Sequence, residues 1–267
     1  MKNILLLVHD DAGQEARLQT ALDLTRAFNG HLKCVDIVQM PAVIGDYYNE
    51  AGEAMLLADE RNREASNREA LEARLAHEDI AWDWVDLVGD IADCVIAAAG
   101  LADLIVINRK LDSPAGPDMQ GIAGAIATHV RKPLVAISED CPRFDVTGPA
   151  LIAWDGSPPV MATMRACTPL LALAANVHLL TIGDESEGVS AEEAAAYLSR
   201  HDIPATIQRI EQRETPIHVH IQEECSGQGA SYCLMGAFGH SRVTEALFGG
   251  VTQQMLKTSR IPLVLGH

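Results

Sequence analysis

Continuously apolar runs alternate along this chain with Ala/Leu-rich stretches whose apolar residues recur at helical spacing. "NILLLV" (Asn3–Val8) leads into Arg17–Phe28, and "HLKCVDIV" (His31–Val38) follows. A strand with one face in water alternates apolar and polar residues. These runs do not, so both faces are predicted to be buried, as in a parallel sheet covered by helices on either side.

The series then recurs. "PALIAWDGS" (Pro149–Ser157) parallels "KNILLLVHDD" (Lys2–Asp11), Val160–Ala174 stands where Arg17–Phe28 does, and "NVHLLTIGD" (Asn176–Asp184) follows as the second strand. Leu101–Lys110 parallels Gly229–Phe238, and Ala127–Ile137 parallels Met255–Leu265. The last pair shares Arg-Xaa-Pro-Leu-Val, in which proline ends a helix and the chain enters an apolar strand. The repeat predicts two tandem Rossmann-like α/β domains, residues 1–140 and 149–267, joined at Glu139–Pro149, where proline, glycine and charge interrupt the periodicity. The copies differ in one place: residues 41–75 read as a charged, helix-favouring insertion of the first domain, a solvated helical arm.

Composition removes several classes of function. A formal net charge of −17 disfavours unselective binding to nucleic acid or to an anionic membrane. No apolar run approaches the ~20 residues of a membrane span. Met1-Lys2 runs straight into the first strand without a leader, so the cytoplasm is the expected location. The six cysteines show no CxxC and no framework spacing, and are read as small apolar side chains in a reducing compartment. His218 and His220 have no ligand cluster beside them in sequence, so no metal site is assigned.

In doubly wound sheets ligands lie beyond the carboxyl ends of the strands, which singles out the residues just after each strand. In the second copy these include Asp155-Gly156-Ser157-Pro158. Ser157 is expected to cap a helix with Pro158 at its first position, leaving Asp155 to form a turn or to accept hydrogen bonds from a ligand. "GAFGHSRVTEALFGGVTQQ" (Gly236–Gln254) places Gly236 and Gly239 after the fourth strand and Gly249-Gly250 before a helix over Val251–Thr258. Glycine admits close approach to a bulky anion, and a helix start offers free N–H groups to phosphate. Ser241, Thr244 and Thr252 add hydroxyls, and His240 and Arg242 add positive charge. An ordinary glycine-rich loop remains an equal reading of these residues.

With a doubled domain, an aspartate after strand one and Gly-x2-Gly-x9-Gly after strand four, the sequence resembles the tandem-domain universal stress proteins over nearly its whole length. The resemblance implies, for each half, a five-stranded parallel sheet with helices on both faces, of the adenine nucleotide alpha hydrolase-like type. It implies ATP (or AMP or ADP) in the second domain, with Mg2+ as a companion. Asp155 would hold the nucleoside, Ile182 would meet adenine through its backbone, and Ala153 would line the pocket. Gly236 and Gly239 would follow the ribose and phosphates, while Gly249, Gly250 and Val251 would give amides to the phosphates. Gly250 departs from the family's Ser/Thr, and Thr252 is the candidate substitute. The first copy, with Asn108 and Leu111 in place of the glycine pair, is expected to have lost nucleotide and to serve as an intramolecular pairing partner. A regulatory stress-response role with at most slow hydrolysis and no catalytic residue follows. So do an unknown protein partner and a homodimer of tandem chains as further expectations. The alternative is a nucleotide-independent interaction module.

Overall fold

The computed structural model describes residues 1–39, 50–113, 116–183, 188–212, 214–237 and 250–267, with the side chains of 50–53 excepted. The first five strands are β1 (Asn3–Val8), β2 (His31–Gln39), β3 (Ala81–Gly89), β4 (Leu104–Asn108) and β5 (Leu134–Ile137). The next five are β6 (Ala150–Ala153), β7 (Val177–Ile182), β8 (Ala205–Ile210), β9 (Tyr232–Gly236) and β10 (Leu263–Gly266). Together they make one ten-stranded sheet in the order β3-β2-β1-β4-β5-β10-β9-β6-β7-β8. Among these neighbours every pair is parallel except β5 and β10, which run antiparallel with Val135 opposite Val264. The two Arg-Xaa-Pro-Leu-Val segments therefore form the seam between the halves. In each the proline carbonyl accepts from the neighbouring strand, Pro133 from Ile105 N at 3.0 Å and Pro262 from Cys233 N at 2.9 Å.

The continuous apolar runs are explained by helices on both faces. On one side lie α1 (Gln14–Phe28), α2 (Glu50–Leu75), α5 (Pro158–Ala166), the single turn α6 (Thr168–Leu171) and α7 (Ala191–Ser199). The other side carries α3 (Ile91–Ala98), α4 (Met119–His129), α8 (Ile217–Gly227) and α9 (Gly250–Thr258). Along β1, Ile4, Leu6 and Val8 enter the first layer, and Leu5 and Leu7 the second. Each core runs through both halves. The joint belongs to it as well: Phe144 and Val146 are buried, and Phe144 stacks on Tyr232 with ring centroids 5.3 Å apart.

Helix α2 corrects the expectation of a solvated arm over residues 41–75, of which 41–49 lie outside the described residues. It is the crossover that a parallel β2–β3 pair requires, and it packs along β2 with Glu64, Leu71 and Leu75 buried. Polar pairs fasten it to α1: Gln14 and Asn67 exchange side-chain hydrogen bonds of 2.6 and 2.8 Å, and Arg74 pairs with Glu15. The six cysteines are free, and four of them are buried. Among the described residues no helix is long and apolar enough to cross a membrane.

Candidate functional site

The carboxyl ends of β1 and β4, and of β6 and β9, form two matching places. Asp11 and Asp155 each lie three residues before the start of a helix, α1 and α5 respectively; Asn108 and Gly236 end β4 and β9. The fourth residue of each helix is Arg17 in α1 and Met161 in α5.

In the first half this place is filled with protein. Arg17 is fully buried and spends its guanidinium on four partners: Leu7 O at 3.0 Å, His9 O at 2.8 Å, the Asp11 carboxylate at 2.8 Å, and Asn108 Oδ1. Asp11 also accepts from Gly13 N at 2.8 Å. Asn108 fits only because Gly13 lacks a side chain, since a Cβ there would lie 2.3 Å from Asn108 Oδ1. From above, Glu64 of α2 accepts from Asp10 N at 3.1 Å and pairs with the buried His9 ring at 2.8 Å. Burial is the largest influence and opposes charge on both groups, but their mutual hydrogen bond and attraction, helped by Asp11 for His9 and by the Asp10 and Asn67 hydrogen bonds for Glu64, together outweigh it, raising the His9 pKa and lowering that of Glu64.

The second half arranges the same positions differently. Asp155 is exposed, and its Oδ1 accepts from Ser157 N at 3.0 Å, which closes the turn. Gly156 has φ +71°, and its carbonyl accepts from Val189 N at 3.2 Å; Gly188 packs there so tightly that a Cβ would lie 2.3 Å from that carbonyl oxygen. The segment after β7 is thereby tied to the loop after β6, a join reinforced by Trp154 Nε1 donating to Val189 O at 2.9 Å. Ser157 occupies the helix N-cap, but the expected capping bond is not made. With prolines at the first two helical positions the N2 amide is missing, and Ser157 Oγ is buried without a partner.

Of the predicted contacts, Ala153, Asp155, Ile182 and Gly236 meet at adjoining strand ends, through β6 pairing with β7 on one side and β9 on the other. Ala153 and Ile182 are half-buried. The glycine at 236 has a packing reason that sequence reasoning missed. A Cβ on it would lie 2.7 Å from Val160 N, so the close approach of α5 takes the space. Gly239 and Gly249, with His240, Ser241, Arg242 and Thr244, lie outside the described residues. Helix α9 begins at Gly250, followed by the half-buried Val251 and the buried Thr252. As the crossover between parallel β9 and β10, it runs against the strands and presents its N-terminus at their carboxyl ends. A Cβ on Gly250 would meet nothing within 4 Å, so the departure from Ser/Thr has no packing cause. The far end of α9 is held from the first half, where Arg109 Nη1 donates to Leu256 O at 2.9 Å and Lys257 O at 3.1 Å.

His218 and His220 both lie on α8, and the described residues place no ligand cluster around them. One group does converge elsewhere: His9, Glu60 and Glu64, whose ligand atoms all lie within 4.8 Å of one another.

This architecture is the fold of the universal stress proteins. The structure aligns with a universal stress protein from Archaeoglobus fulgidus at a TM-score of 0.73 and 12% identity, covering 99% of this chain and 95% of the other. It aligns with a protein of Pseudomonas aeruginosa named for the same family at 0.64 and 13% identity, covering 100% and 93%. In sequence, the chain is 22% identical over 185 residues to a universal stress protein of Synechocystis sp., which covers 66% of this chain and 62% of that relative's length. No family model matches the chain.

Proposed function

We propose that this chain is a universal stress protein of the tandem type, with units at residues 1–140 and 149–267, and that the second unit binds ATP or a related adenine nucleotide as a regulatory ligand. The observation that carries the reading is an exposed Asp155 and an exposed Gly250, the first residue of α9, at the same end of the sheet. The homologous place in the first half is closed by Arg17 and Asn108. Asp155 would accept from the nucleoside, with Ala153 and Ile182 beside the base and Gly236 and Gly239 along the ribose and phosphates. Gly249, Gly250, Val251 and Thr252 would give amides, and Thr252 a hydroxyl, to the phosphates, with Mg2+ as companion. The orphaned Ser157 Oγ and the unfilled space at Gly250 fit a polar ligand there. Turnover is expected to be slow, the setting the cytoplasm, and further association, through a homodimer or a protein partner, a consequence of occupancy. Mass spectrometry of small molecules released from purified, denatured protein should find an adenine nucleotide. Its absence, together with no binding of ATP or AMP at millimolar concentration, would refute the proposal.

The second reading, a nucleotide-independent interaction module, is favoured by Met55 and Leu56, which stand 68% and 55% exposed on the long α2. Under that reading, changing both to aspartate abolishes partner capture while ATP leaves it unchanged.

A further inference from the structure

We propose that the first half carries a site for a divalent first-row metal ion built from His9, Glu60 and Glu64, with Asp36 as the adjoining carboxylate. Glu60 and Glu64 are four residues apart on α2, so they share one helix face, and His9 follows β1 directly beneath it. Their ligand atoms already lie within 4.8 Å of one another, and the His9–Glu64 pair at 2.8 Å. Two ligands each ~2.1 Å from one ion stand at most ~4.2 Å apart, so a small rotation of Glu60 completes the set.

Asp36 supplies the independent observation. It lies on β2 opposite Val8, on the same strand face as Leu32 and Cys34, and so points at the layer that holds α2. The residue is 4% exposed, and its Oδ1 has no hydrogen-bond partner. A buried carboxylate oxygen without a donor costs stability, and a second carboxylate, Glu64, lies close enough to repel it. A dication resolves both problems at once. Among the described residues the Arg63 guanidinium stands there, 2.7 Å from Glu60, 4.0 Å from Glu64 and 3.7 Å from Asp10, on a side chain nearly half exposed, while Glu64 also accepts from Asp10 N and from Asn67 Nδ2 at 3.2 Å. One imidazole among carboxylates suits Mn2+, Fe2+ or Zn2+ better than Mg2+ or Ca2+. The ion would replace the proton shared by His9 and Glu64 and pin α2 over the end of β1. The half that is closed to nucleotide would then answer to a metal.

Full-length protein stripped with chelator should be titrated with Mn2+, which thiols bind poorly, by electron paramagnetic resonance, and with Zn2+ by calorimetry under reducing conditions. One ion per chain is expected. Glu60→Gln, whose parent side chain is partly exposed and bonded to Arg63, should fold normally and weaken binding by more than about tenfold. Arg63→Gln should leave binding intact or tighten it. Failure of the parent to bind at millimolar Mn2+ and Zn2+ overturns the proposal. So does an isotherm unchanged by Glu60→Gln, which would place the ion elsewhere. Neither result bears on whether the second half takes nucleotide.

Discussion

The ends of β1 and β6 carry the same aspartate in the same place and use it in opposite ways. Asp11 faces inward, its charge consumed by the buried Arg17, and the space beyond the strand ends is occupied by the protein's own guanidinium and by Asn108. Asp155 faces outward, closes a turn with one oxygen and leaves the rest of the carboxylate to solvent. The lesson is that one arginine and one asparagine can fill the strand ends of one half with protein, while the same fold leaves Asp155 exposed in the other.

The largest expected effect comes from breaking the filled side. Arg17→Met, which copies Met161, strands the Asp11 carboxylate and the carbonyls of Leu7 and His9. It should destabilise the chain by about 3–5 kcal/mol in urea titrations, the range for removing one partner of a buried pair. On the open side, Asp155→Ala should cost within ~1 kcal/mol of stability, since only a turn bond is lost, yet weaken ATP by tenfold or more in calorimetry. Equal stability losses from the two substitutions would erase the contrast. Gly236→Asn copies Asn108 where no Gly13 stands opposite, and the clash with Val160 N should cost about 1–3 kcal/mol.

Much of this contrast was legible in the sequence. The doubled strand-helix series and the two Arg-Xaa-Pro-Leu-Val segments pointed to the parallel strands, and Asn108 against Gly236 marked the halves as different. Other parts could not be read because they depend on partners far apart in the chain. In the sequence Arg17 is legible only as the start of a helical stretch; its burial requires β1, the loop after it and β4 together. The charges of α2 suggested an arm in water, whereas a stripe of every third or fourth residue, Glu64, Leu71 and Leu75 among them, lies against the sheet. His9 and Glu64 lie far apart in the sequence, so their pairing leaves no local signal. The glycine at 236 suggested space for a ligand, and sequence alone could not show that α5 uses it.

Smaller changes sharpen the picture. Gly250→Ser restores a hydroxyl where nothing obstructs it, and one added hydrogen bond should tighten ATP by a few-fold to about tenfold while leaving AMP unchanged. Equal effects on both nucleotides would place Gly250 away from the terminal phosphates. The mildest signal is expected from pH. Burial, followed by the charges of Glu64 and Asp86, raises the pKa of Asp36 to about 7, with His9 and Arg68 opposing. The folded state therefore holds this proton more tightly than the unfolded state. Its contribution is complete below pH ~4 and is lost as pH rises through 7. In chelator, Asp36→Asn should flatten the fall in melting temperature between pH 5 and 8; an unchanged slope would assign that fall to other groups.

The central proposal, that nucleotide binds the second half and not the first, is tested most directly by calorimetric titration of nucleotide-free protein with ATP. The account predicts one ATP per chain, with binding lost in Asp155→Ala. Two ATP per chain, or the same isotherm in the parent and in Asp155→Ala, would contradict it.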